Sequence, residues 1–362
     1  MSSLTSHHAL PPFPDNVTSA PLVSVSLAKL EAGDEGASKA FFTACKELGF
    51  FYLDMLGSTL GEKIVAEAEE LNKVQAEFFK LPNEVKDIYG RPHLHPFYAY
   101  RFGEGEDFDG KAIRNENYNL RKDDILGQCE RLACHSMILQ HQQLFERYVY
   151  HCRAAVDCLL EHLNTHLQLP KGTLAKLHRI HQRSGDHVRF TQAPPQPWSD
   201  DRATRGQHTD FGSLTILFNW LGGLQIRKPN TDEWVYVRPI PGSPVVNLGD
   251  AMVKFTAGIL RSNVHRVVPA PGEQGGLIRN SLVFFSRPED SVVLKRLSGG
   301  IIDAQPVSEQ PELEMTADEW IMKKGTGQLP GVFTAKGGFE YKGYGALPAT
   351  PAPRVAPVAV KA

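Results

Sequence analysis

His208-Thr-Asp-Phe-Gly-Ser-Leu-Thr-Ile-Leu-Phe218 is the stretch on which the fold turns. Its second half, Leu214-Thr-Ile-Leu-Phe218, is a short run of β-branched, aliphatic and aromatic residues that reads as a strand. Its first half sets an imidazole and a carboxylate two residues apart. On an extended backbone residues i and i+2 project from the same face, so His208 and Asp210 are expected to point together into a barrel interior. Further runs of the same kind follow: Gly223-Leu-Gln-Ile226, Trp234-Val-Tyr-Val237, Pro244-Val-Val-Asn-Leu248, His265-Arg-Val-Val268 and Ser281-Leu-Val-Phe-Phe285, separated by Gly, Pro, Asn and Asp. Many short strands at this spacing predict an antiparallel sandwich or barrel.

Upstream of about residue 185 the period changes. Phe41, Phe42, Cys45 and Leu48 follow helical spacing, with Gly49 placed as a C-terminal cap, and Phe50-Phe51-Tyr52-Leu53 reads as a buried strand. Ile64, Ala68, Leu71, Val74 and Phe78 mark a second amphipathic helix, and the apolar positions from Leu144 to Leu163 mark a longer one. The division expected is a poorly ordered segment at 1–20, a helical region packed on the core at 21–187, a β core at 188–300, a C-terminal helical segment at 301–346 and a disordered Pro/Ala/Val tail at 347–362.

The 362 residues carry 39 Lys plus Arg against 41 Asp plus Glu, a formal charge of -2. That balance argues against a polyphosphate partner, which needs clustered excess cations. Five cysteines, an odd count with no Cys-x-x-Cys spacing, argue against a disulfide framework and for a reducing compartment. No run approaches the ~18 apolar residues of a membrane span, and no leader pattern opens the chain, so a cytoplasmic setting is expected.

Several side chains can carry chemistry. His265 opens another strand-like run, and two histidines with one carboxylate can occupy one face of a metal while leaving the opposite positions open, the arrangement used by non-haem Fe(II) oxygenases. Taken singly, a strand histidine is usually structural and His-x-Asp is a common accident. Arg279 and Ser281 also share a strand face, and a guanidinium fork beside a hydroxyl can grip a remote carboxylate. Asn247, Gly249 and Asp250 read as a turn, and His178 and His181 as packing or solvated face.

Together the blocks beginning at His208, Gly222-Gly-Leu-Gln-Ile226, Asn247-Leu-Gly-Asp250, His265 and Arg279-Asn-Ser281 resemble, in order and spacing, the Fe(II)/2-oxoglutarate-dependent dioxygenases of the isopenicillin N synthase-like superfamily. Ala44-Cys-Lys-Glu-Leu-Gly-Phe-Phe-Tyr52 and Phe78-Phe-Lys-Leu-Pro82 are similar to that family's N-terminal region. The resemblance implies a mainly β fold with flanking helices, a double-stranded β-helix or jelly roll. It implies Fe(II) held by His208, Asp210 and His265, and 2-oxoglutarate held at its remote end by Arg279 and Ser281. Where the family often has Asn-x-Tyr, this chain has Thr191-Gln192-Ala193, so the Thr191 hydroxyl is the expected contact and no phenol is present. It further implies an oxygenase that uses dioxygen to hydroxylate, desaturate or rearrange a small natural product of secondary metabolism, releasing succinate and carbon dioxide. Phe97 and Tyr98, with Phe211, Phe255 and Phe285 beside the site segments, are the candidate substrate contacts. An iron oxidase acting without 2-oxoglutarate, a non-catalytic jelly-roll binding protein and a zinc hydrolase are the competing readings. The last leaves Arg279 and Ser281 unexplained.

Overall fold

The computed structural model describes residues 10–90, 94–103, 115–198, 205–307, 314–325, 332–333 and 339–340. The tail expected to be disordered, 347–362, lies outside them.

Two sheets face one another. The larger is built from β1 (Ser24–Ser26), β2 (Phe50–Asp54), β3 (Ala99–Phe102), β4 (Glu116–Arg121), β5 (His187–Ala193), β7 (Leu214–Asn219), β10 (Val245–Leu248) and β12 (Arg279–Ser286), in the order β1-β2-β10-β7-β12-β5-β4-β3. The smaller has β6 (Arg205–His208), β8 (Leu224–Arg227), β9 (Trp234–Tyr236) and β11 (His265–Val267), in the order β6-β11-β8-β9. A short ribbon, β13 (Val332–Phe333) with β14 (Phe339–Glu340), stands apart from both. The architecture is the jelly roll expected, with one difference. The region read as helical, 21–187, contributes three strands, β1, β3 and β4, to the larger sheet besides β2, which was expected at Phe50–Leu53. Polar residues in Glu116-Asn-Tyr-Asn-Leu-Arg121 hide β4, because Asn117 faces the cavity while Glu116, Asn119 and Arg121 are paired with other protein groups.

The larger sheet is buried on both faces, and the alternation along its strands sorts the chain into two interiors. Leu282 and Phe284 of β12, Ile216 of β7, Val246 of β10 and Phe190 of β5 turn outward into the main apolar core. The helices cover that face: α1 (Glu35–Glu47), α2 (Thr59–Phe79) and α3 (Gln142–His166). Asp34 caps α1 by accepting from Ala37 N at 2.7 Å, and Ser58 caps α2 by accepting from Gly61 N at 3.0 Å. Gly49 ends α1 at φ +70, and a Cβ there would lie 2.2 Å from the Arg261 carbonyl oxygen, so no other residue fits. The opposite faces of the same strands carry Arg279, Ser281, Val283 and Phe285 of β12, Thr215 and Leu217 of β7, and Asn247 of β10, all lining the space between the sheets.

Residues 10–20, assigned to a disordered segment by their composition, instead pack on the smaller sheet. Phe13 is buried beside Tyr236, and Ala20 N donates to Tyr236 O while Tyr236 N donates to Thr18 O. Proline content suits such an edge strap as well as it suits a disordered tail. α4 (Asp250–Phe255) follows β10, and α5 (Ala317–Gly325) brings Lys324 to the outer cavity; α5 is the described α-helix of 301–346, a segment expected to be helical that also holds β13 and β14. Among the described residues no helix is long and apolar enough to cross a membrane.

Candidate metal centre and adjoining cavities

His208 and His265 are direct cross-strand partners on β6 and β11, with ring centroids 4.2 Å apart. Asp210 joins them, and one ligand atom from each of the three lies within 4.8 Å of the others. Asp210 does not reach the group by strand alternation as expected. β6 stops at His208, and Asp210 sits in the following turn, its carbonyl accepting from Asp250 N at 2.9 Å. Gly249 makes this turn possible, since a Cβ there would lie 2.3 Å from Gly212 O and 3.0 Å from Asp210 O.

Each donor is oriented by a second contact. Nδ1 of His208 bonds Gly206 O at 2.8 Å and Nδ1 of His265 bonds Asn263 O at 3.2 Å. A carbonyl only accepts, so both Nδ1 atoms carry the proton and both Nε2 lone pairs are turned towards the cavity. Asp210 Oδ2 accepts from Thr215 Oγ1 at 2.7 Å and from Asn247 Nδ2 at 2.8 Å, while Oδ1 faces His265 Nε2 at 3.9 Å. Two neutral imidazoles and a carboxylate suit Fe(II), and three ligands on one side leave the other side for small ligands. Asn247, read as part of a turn, thus aims Asp210 together with Thr215. Its position in an apolar strand was visible; its partner was not.

Two cavities meet at this cluster and share Asn117, Arg189, His208, Asp210 and Phe285. The deep one, about 670 Å³, runs between the sheets past Leu217, Leu224 and Val267 to Arg279 and Ser281. Arg279 is 5% exposed, its Nε donates to Gly222 O at 2.7 Å, and it has no carboxylate within ion-pair distance among the described residues. Burial alone pushes its guanidinium down to about 10. A buried cation lining a cavity, with no carboxylate partner among the described residues, is a site for an anion. Thr191 lines the same cavity and donates to Asn117 Oδ1 at 2.9 Å, while Ala193 lies directly across from Arg279 in the β5–β12 register. Phe50 meets the His265 ring edge-on at 5.4 Å and walls the cavity; it had been read only as strand core.

The outer cavity, about 720 Å³, opens on the other side of the triad. Of the aromatic residues expected there, Phe97, Phe211 and Phe285 line it. Tyr98 does not. It is buried behind Phe97 with Ile321 and His187. Phe255 is wholly enclosed in the main core against His178, because α4 turns that face inward. His178 itself is buried, with Nδ1 on Leu174 O at 2.7 Å and Nε2 on Ser213 Oγ at 2.6 Å, so it packs as expected.

Comparison with known proteins agrees with this geometry. The family model described as the 2OG-Fe(II) oxygenase superfamily matches residues 184–288, and that of the non-haem dioxygenase in morphine synthesis N-terminal region matches residues 20–134. A 2-oxoglutarate-dependent dioxygenase of Aspergillus fumigatus is 32% identical over 337 residues, covering 85% of this chain and 86% of that protein. The 2-oxoglutarate-dependent dioxygenase gloE of Glarea lozoyensis is 26% identical over 285 residues, 78% of this chain and 84% of its own length. Among solved structures, Neurospora crassa T7H in complex with alpha-KG and 5-formyluracil superposes with a TM-score of 0.70 at 21% identity, covering 84% of this chain and 95% of that one. A putative 2OG-Fe(II) oxygenase family protein from Caulobacter crescentus gives 0.69 at 23% identity, with 84% and 98% covered.

Proposed function

The chain belongs to the 2OG-Fe(II) oxygenase superfamily, and on that premise we propose that His208, Asp210 and His265 hold the iron while Arg279 and Ser281, with Thr191 beside them, hold the remote carboxylate of 2-oxoglutarate. The enzyme is a 2-oxoglutarate-dependent dioxygenase that uses Fe(II) and dioxygen. The observation that carries the residue assignment is the pairing of two unmet demands in one cavity: a three-ligand cluster and a buried guanidinium with no counter-charge among the described residues. An iron oxidase that dispensed with 2-oxoglutarate would have to use that cation for another anion and would release no succinate.

When bound, the iron supplies the redox chemistry that couples dioxygen and the decarboxylation of 2-oxoglutarate to oxidation of a substrate C–H bond. The chain's own part is geometric and electrostatic. Gly206 O and Asn263 O fix the tautomer of both imidazoles, and Thr215 and Asn247 fix the carboxylate. Arg279 presents its terminal nitrogens to the remote carboxylate because Nε is already held by Gly222 O. Leu217, Leu224 and Phe50 exclude water, which strengthens every one of these contacts.

The reading extends to a small, partly hydrophobic natural product of secondary metabolism as substrate, entering by the outer cavity against Phe97, Phe211 and Phe285 to be hydroxylated, desaturated or rearranged. The size and aromatic lining of that cavity support it, as does the fungal source of several relatives. A near-zero net charge favours a small-molecule partner over nucleic acid, and five free thiols favour a cytoplasmic setting. The test is an anaerobic titration of the iron-loaded protein with 2-oxoglutarate, followed by succinate measurement on a substrate panel. A charge-transfer band that is lost in His208→Ala is the expected result. A wild-type protein that binds Fe(II) and shows no band with 2-oxoglutarate would overturn the assignment.

A further inference from the structure

The outer cavity carries more positive charge than a neutral substrate needs. Arg101, Arg189, Arg287 and Lys324 all line it. Lys324 is balanced, its Nζ lying 3.5 Å from Asp250 with both side chains buried. Arg189 donates from Nε to Asn119 Oδ1 at 2.7 Å. Arg287 is different. It is 2% exposed, its side chain hydrogen-bonds Tyr98, its Nε and Nη1 are buried with no hydrogen-bond partner, and no carboxylate lies within ion-pair distance of it among the described residues.

The acid beside it, Asp186, spends Oδ1 on Arg287's own backbone N–H at 2.6 Å. The guanidinium instead lies between two rings, 5.1 Å from Phe97 and 5.7 Å from Phe285. Ring faces attract a cation but satisfy none of its N–H groups. Burial lowers its pKa, although Tyr98, Asp186 and Asp210 pull the other way. The backbone around it is cleared to admit it: a Cβ on Gly212 would lie 2.6 Å from Arg287 Cγ, and one on Gly185 2.9 Å from its Cδ. A charged group carried into the interior, flanked by glycines, lining a cavity and with no carboxylate partner among the described residues, is a binding group awaiting its ligand.

We propose that the substrate is an organic acid whose carboxylate seats on Arg287 in the outer cavity, with its apolar body against Phe97 and Phe285. The inference rests on the reading that the deep cavity belongs to 2-oxoglutarate, whose own remote carboxylate is met by Arg279. A planar guanidinium is the side chain whose fork best matches a flat carboxylate.

The experiment uses the full chain loaded with Fe(II) and saturating 2-oxoglutarate under argon. Phenylacetate, 3-phenylpropionate, cinnamate and benzoate are each titrated calorimetrically against the matching primary amide. At least one acid is expected to bind tenfold or more tightly than its amide, without displacing 2-oxoglutarate. Arg287→Met should cut that preference below threefold while amide binding, 2-oxoglutarate affinity and Tm stay unchanged. Should the Met variant not fold, Arg287→Lys decides: it keeps the charge, loses the fork, and is expected to weaken the preference by three- to tenfold. The proposal is overturned if no acid outbinds its amide, if the preference survives in the folded variant, or if the acids compete with 2-oxoglutarate and so sit on Arg279. Repeating the acid–amide comparison on iron-free protein by thermal shift separates the two readings. An absent charge-transfer band refutes the co-substrate assignment, whereas equal shifts by acid and amide refute this one.

Discussion

Replacing Arg279 with leucine should move two measurable quantities in opposite directions. In the cavity the guanidinium is buried, pushed down to about 10 by desolvation, and held among the described residues through Nε and Gly222 O. Its two terminal nitrogens remain for a carboxylate. Two charge-assisted bonds at roughly 1.5–3 kcal/mol each come to roughly 3–6 kcal/mol, a loss in 2-oxoglutarate affinity of roughly 10²- to 10⁴-fold. Removing an unpaired buried cation and substituting an apolar side chain should leave Tm level or higher. The dissociation constant comes from the anaerobic charge-transfer titration and Tm from calorimetry on the same sample. Fe(II) affinity measured without 2-oxoglutarate should be unaffected, since Arg279 touches none of the three ligands. An affinity change below about tenfold, or a Tm that falls along with it, would refute the reasoning and make Arg279 a structural residue.

Three further outcomes are expected. Asn247→Ala removes one of the two donors on Asp210 Oδ2 and should weaken Fe(II) binding by roughly 10- to 100-fold with little change in Tm, read by competition with a chelating dye. His178 is held at about 3 by burial, against about 6.5 in the unfolded chain. The unfolded chain therefore takes up a proton that the folded one refuses, and stability, whole above pH 6.5, should fall by roughly 1.4 kcal/mol per unit as the pH drops towards 3. Urea midpoints at pH 7.5, 6.5 and 5.5 should trace that slope and be flatter in His178→Gln. Gly49→Ala, forced to φ +70 with its Cβ against Arg261 O, should cost at least about 1–3 kcal/mol in a denaturant titration and leave the iron site's spectrum intact.

The site was legible where polar groups interrupt apolar β runs, because only a cavity tolerates them there. His208, Asp210, His265, Arg279 and Ser281 all carry that mark, and the structure brings the five to one cavity. The reason given for Asp210 was wrong even though its placement was right: a turn pinned by Gly249, not strand alternation, delivers it. Asn117, Arg189 and Arg287 escaped notice for a different reason. β4 looked too polar for a strand, and the aim of an arginine depends on which sheet its strand joins, which local spacing does not encode. Lys324 is more remote still, since it reaches the cavity only through the docking of α5. Phe255 failed because a short helix between two strands has no period long enough to say which face turns inward.

The strap of residues 10–20 bears on the chemistry at a distance. Pro11 O accepts from Gln274 Nε2 at 2.7 Å, Gln274 Oε1 accepts from Gly222 N at 2.8 Å, and Gly222 O receives Nε of Arg279. Phe13 presses on the same glycine, where a Cβ would lie 2.8 Å from its ring. The far end of the co-substrate thus hangs from a peptide link that is itself guyed to the N-terminal strand of chain. Trimming the protein to residue 21 because its opening composition looks dispensable would leave a sound barrel with a slack anchor, and the damage would surface as a raised KM for 2-oxoglutarate in an otherwise well-behaved protein.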